Sequence, residues 1–231
     1  MQEIYWELGQ FSISMQGRYS NIDDLEKDIE LLYGSEDFGG FSGNDWFLLN
    51  KKTDILEFLS LTVPSFFFDM TDEMFHLLRE LKTINFKQFT KMSASKIIMQ
   101  DSAFFSADKD ILLVSSSPLQ IKASTALSEN FSLLSDDKGE YLGFILYNAT
   151  KNIYGYDPDK NNDSFIDYLQ DMLTFCDEQQ YELMDDEDEE LLQKLNTLEY
   201  RSADQFRIDP RAEHILSFVK NVKLTFYDIV M

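Results

Sequence analysis

Between Asp157 and Glu199, fifteen carboxylates stand against two bases, Lys160 and Lys194. This net −13 is more than half of the chain's formal charge of −22. An unpaired carboxylate is too costly to bury, so any fold must turn this stretch's charges outward. Its apolar residues then dictate the local structure. Phe165, Leu169, Met172 and Cys176 recur at helical spacing, and so do Leu191, Leu192, Leu195 and Leu198. The last third therefore reads as acidic helices with one apolar face each. Leu77 to Thr125 contrasts with it, holding seven bases and four acids.

Upstream, the periodicity shortens toward two. Ile4 to Trp6, Phe11 to Met15, Trp46 to Leu49, Lys96 to Met99, Asp110 to Val114 and Tyr141 to Tyr147 read as strands, with Ala103, Phe104 and Phe105 between two of them. Ser20-Asn21 and Thr71 are candidate helix caps. The first precedes Ile22, Leu25, Ile29 and Leu32; the second precedes Met74, Phe75, Leu78 and Leu81. Gly34 to Asn44 reads as loop. The end reads as a helix near Arg211 to Lys220 and a closing strand, Val222 to Val230, returning to the main sheet. Paired strands followed by gathered helices predict an α+β fold, mainly antiparallel sheet packed with several helices. One domain over residues 1–231 is expected, with a subdomain boundary near 155 as the alternative.

The apolar run from Ile55 to Met70 is broken by Glu57, Pro64 and Asp69, too short an apolar span for a membrane helix. It reads as core, with Phe66, Phe67 and Phe68 among the filling. The N-terminal residues lack a basic start followed by an apolar run, so a cytoplasmic protein is expected. One cysteine, Cys176, forbids an intrachain disulfide. The acidity argues against direct contact with nucleic acid or anionic lipid.

On the helix after Asn162, the residues Asp163, Asp167, Asp171 and Glu178 fall on one face, at spacings of four, four and seven. Together with the run Asp185, Asp186, Glu187, Asp188, Glu189 and Glu190 they are the candidate partner-binding residues. Opposed potentials accelerate encounter and discriminate among partners. If the stripe and the run folded side by side, they would imitate the charge of a duplex, which makes a DNA mimic the alternative.

Asp159, Asn161, Asp163 and Asp167 resemble part of a calcium loop of the EF-hand type. Ser164 stands where the turn wants glycine, and Gln170 where a bidentate glutamate closes the site, so only weak calcium binding is expected there. A calcium-binding or metal-dependent enzyme is a further alternative. Otherwise no cofactor is expected.

Catalytic material is sparse. No G-x-S-x-G occurs, and the glycines at 34, 39, 40 and 43 lack the G-K-[ST] ending of a phosphate loop. Cys176 sits beside Asp177 and Glu178, which disfavour a thiolate. His76 and His214 read as surface or half-buried residues. Phe38, Phe41 and Trp46 could anchor an interface. The expectation is a non-catalytic acidic protein that neutralises a basic protein partner, of the inhibitor or immunity type.

Overall fold

The computed structural model describes residues 4–15, 27, 45–50, 55–84, 94–97, 99–160 and 164–229. It is an α+β structure built on two sheets, mostly antiparallel. The first sheet takes β1 (Ile4–Glu7), β2 (Ser12–Met15), β3 (Asp45–Asn50), β4 (Ile55–Thr62) and β7 (Ala94–Ile97) in the order β1-β2-β4-β3-β7. The second takes β5 (Phe67–Asp69), β6 (Lys82–Thr83), β8 (Ala103–Ser106), β9 (Ile111–Val114), β10 (Ala123–Ala126), β11 (Phe131–Ser135) and β12 (Tyr141–Tyr147). Its order is β5-β8-β9-β12-β11-β10-β6, and both edge strands run parallel to their neighbours.

The central strands of the second sheet are apolar without alternation (ILLV in β9, FILY in β12) because both of their faces are covered. On one face Leu112, Val114, Leu133, Phe144 and Leu146 join the main core. On the other, Leu113, Leu134 and Ile145 meet Met74 and Ile121. Met74 belongs to α1 (Asp72–Arg79), which Thr71 caps by accepting the Met74 N–H at 3.3 Å. Asp72 and Glu73 in its first turn and Arg79 in its last complement the helix dipole.

The main core also takes Trp6, Ile13, Leu59 and Leu61 from the first sheet. Four C-terminal helices complete it: α2 (Phe165–Leu173), α3 (Glu178–Asp185), α4 (Glu189–Phe206) and α5 (Ala212–Tyr227). Phe165, Leu169, Met172 and Cys176 are all buried, as their spacing requires.

Three expectations are corrected. The expected closing strand gives way to helix: α5 runs through to Tyr227, because Ile215, Phe218, Val219 and Val222 keep one helical face buried against the core, and Val230 lies outside the described residues. The aromatic end of α5 looked strand-like, but the packed face decides. Phe66 and Phe68 are not filling, being 39% and 51% exposed; of the three only Phe67 is buried. Lastly, the helix after Asn162 does not reach Glu178. Thr174 turns its hydroxyl back onto the Asp171 carbonyl at 2.7 Å, and Asp177 starts a new helix by accepting the Gln180 N–H at 2.8 Å. The expected helix over Ile22 to Leu32, the Gly34 to Asn44 loop, Phe38 and Phe41 lie outside the described residues apart from Lys27, which is helical.

Candidate functional site

The break between α2 and α3 redistributes the acidic stripe. Asp163 lies outside the described residues, and Asp167 is exposed on α2. Asp171 is paired with Arg201 of α4 at 2.5 Å, a base just beyond the acidic stretch. Glu199 is likewise matched, by the Lys223 ammonium of α5 at 2.5 Å. Glu178 opens α3, where it begins a different stripe. Glu178, Glu182 and Asp185 follow at i, i+4 and i+7, all exposed, while Met184 packs inward.

This stripe ends in the run Asp185 to Glu190, an ordered corner between α3 and α4. The Glu187 N–H donates to the Met184 carbonyl at 3.0 Å and the Asp188 N–H to the Leu183 carbonyl at 3.0 Å. Those two bonds define a Schellman closure, whose left-handed residue is normally glycine. Here it is Glu187, with φ 55°. Asp185 and Asp186 occupy the last turn and C-cap of α3, at the negative end of its dipole. Asp188, by contrast, caps α4 by accepting the Leu191 N–H at 2.7 Å, and Glu189 and Glu190 stand at that helix's favourable end. Glu190 pairs with Lys194 at 3.0 Å. Among the described residues, Asp185, Asp186, Glu187 and Glu189 have no ion-pair partner.

At the other end of α3 lies a cleft of about 670 Å³, between β5, the start of α1, the β8–β9 turn and the α2–α3 turn. The Phe67 N–H donates to the Cys176 carbonyl at 2.8 Å, which ties the edge strand to the α2–α3 turn. Its lining includes Phe67 and Phe105, both buried in the main core, and the more accessible Phe68 and Phe75, with Phe68 tilted on Phe104 at 5.7 Å between ring centres. Its rim carries Asp69, Asp72, Asp108 and Asp177 and no base. None of the four is ion-paired among the described residues. A smaller cleft of about 420 Å³ adjoins it, sharing Asp72, Phe75, Ser106 and Asp108 and also lined by His76, Arg79 and Lys109.

Comparison with protein-family models, curated proteins and solved structures finds no match.

Of the four residues in the candidate calcium loop, Asn161 and Asp163 lie outside the described residues. Asp159 is exposed in a 3₁₀ turn, Pro158–Lys160. Among the described residues no three His, Cys, Asp or Glu side chains converge enough to hold a metal ion. The Cys176 thiol is buried; burial first, and Asp177 second, push it up to about 12. His76 lies exposed, 3.7 Å from Glu80, and His214 donates from Nε2 to the Tyr154 carbonyl at 3.0 Å.

Buried ionisable groups escaped the sequence reading. Arg211 is fully enclosed: Nε and Nη2 donate to Asp209 at 2.9 and 2.5 Å, and Nη1 to the Thr150 carbonyl at 2.7 Å. Its guanidinium lies 4.1 Å from the centre of the Phe165 ring and 5.0 Å from that of Tyr156. Thr150 is held in turn by both oxygens of Asp110, at 2.9 and 2.8 Å. Asp45 is buried as well. It accepts the Thr62 N–H at 2.6 Å, and its second oxygen has no hydrogen-bond partner among the described residues. Burial outweighs the Thr62 bonds and raises its pKa to about 6.

Proposed function

We propose that this chain is a non-catalytic acidic binding protein that neutralises a basic protein partner, as inhibitors and immunity proteins do, by steric and electrostatic occlusion. The observation that carries the reading is the α3–α4 corner. A non-glycine residue in the left-handed region costs about 1 kcal/mol or more, and carboxylates at a helix C-terminus oppose the dipole by a few tenths each. Glu187, Asp185 and Asp186 accept both penalties where glycine and a base would be the stable choice. A local rule broken on an exposed surface is best understood through what the surface meets. Steering by such a field raises association rates by ~10–10³ and fades with salt.

The duplex-mimic alternative draws less support. The helix meant to carry its stripe ends at Leu173, and Asp171 is neutralised by Arg201. No described helix is long and apolar enough to cross a membrane. A cytoplasmic setting belongs to the same proposal, the single thiol suiting a reducing compartment.

The test is affinity capture from native lysate with the wild-type chain and a D185N/D186N/E187Q/E189Q variant, quantified by mass spectrometry. A basic protein retained by the first and lost by the second is the expected result. If nothing basic distinguishes the two baits, the reading fails.

A further inference from the structure

We infer that the cleft over β5 is a docking groove for an extended segment of the partner, one in which lysine or arginine alternates with apolar side chains. The inference rests on the reading above and adds where, and to what chemistry, the partner binds. In an extended segment successive side chains point to opposite sides. A cleft with accessible aromatic rings and an anionic rim matches that alternation: every second side chain reaches Phe68 and Phe75, and those between reach Asp69, Asp108 and Asp177. A cation passing over the exposed Phe68 face also gains cation–π attraction.

The rim excludes other occupants. Its carboxylates do not gather in threes tightly enough for a metal ion, so they suit charges spread along a chain. A phosphate backbone would meet four negative groups and no base. The volume lies inside the ~300–1,000 Å³ range of ligand pockets. The adjoining cleft lengthens it into a groove, which favours a segment over a compact molecule. Arg79 and Lys109 in that adjoining cleft place the segment's cations over β5 and the α2–α3 turn. Helix α3 connects this groove to the acidic corner. Its eight residues span ~12 Å at 1.5 Å each, so one partner can be drawn in by the corner and held in the cleft.

The test is a fluorescence-anisotropy and stopped-flow titration of a labelled peptide of alternating lysine and leucine, with oligo-lysine and a glutamate–leucine peptide beside it. The chains compared are wild type, F68A, D69N/D108N/D177N and D185N/D186N/E189Q. Asparagine caps a helix as well as aspartate, so D177N leaves α3 in place; equal melting temperatures confirm the fold. The expected result is binding of the lysine–leucine peptide that weakens roughly tenfold or more in F68A and in the rim variant. The corner variant should lower the association rate and leave dissociation nearly unchanged. Binding that ignores the cleft variants and follows only the corner overturns the groove and leaves the acidic-binder reading standing. If no basic peptide binds the wild type, both fall.

Discussion

Asp209 and Asp69 are both aspartates of one folded chain, and the chain treats them in opposite ways. Beside Asp209 it supplies the Arg211 guanidinium, itself held by two aromatic faces and a backbone carbonyl, so that the pair is buried with its bonds made. Around Asp69 it gathers three more aspartates, an exposed phenylalanine and no counter-ion. Where the fold uses charge for itself, it provides the opposite charge from within. In the cleft and at the corner it withholds one, and that difference separates structural charge from charge directed outward.

The comparison is broken most severely by removing Arg211. Arg211→Ala leaves Asp209 buried and alone, and should destabilise the protein by about 3–5 kcal/mol in chemical denaturation. D69N/D108N should instead leave stability unchanged or raise it slightly, because it relieves repulsion between exposed like charges. A large loss in the cleft variant, or none at Arg211, would erase the distinction.

Asp45 is an intermediate case, buried with half of its hydrogen bonds. Its carboxyl titrates near 6 in the fold against an ordinary 3.8, so the native state binds the extra proton. The stabilisation it brings is therefore greatest at low pH, falls as pH rises from about 4 to 6, and stays lost above that. The difference is on the order of 2–3 kcal/mol. Asp45→Asn should gain about 1–2 kcal/mol at pH 7 and nothing near pH 4. Melting temperatures across that range check it.

Smaller again, Glu187→Gly should stabilise the chain by about 1 kcal/mol, since glycine occupies the left-handed position without strain. The same change should slow association with a basic peptide. The least effect belongs to Arg201→Ala, which removes an exposed pair worth about 0–1 kcal/mol and returns Asp171 to the acidic field.

Much of the fold was legible in the sequence, because apolar spacing records which face is buried. Thr71 marked the start of its helix, and Leu191, Leu195 and Leu198 marked the inner face of α4. Strand β10 was missed because Ala123-Ser-Thr-Ala126 has no apolar alternation, and its place comes from pairing with β11. The break before α3 left a trace that was overlooked: Asp177 with Gln180 three residues on is the spacing of a helix cap. The Schellman end at Glu187 left none, since no glycine announces it. The cleft was beyond reach for another reason. Asp69, Asp108 and Asp177 come from an edge strand, a hairpin turn and a helix cap that only tertiary packing brings to one rim.

The most direct measurement is amide chemical-shift mapping of the labelled protein as the lysine–leucine peptide is added. Shifts concentrated at Phe68, Asp69, Ser106, Thr174 and Gln180, with weaker ones along α3 to the corner, are predicted. Shifts scattered over the surface, or centred on the Asp209–Arg211 cluster while the cleft stays silent, would contradict the account.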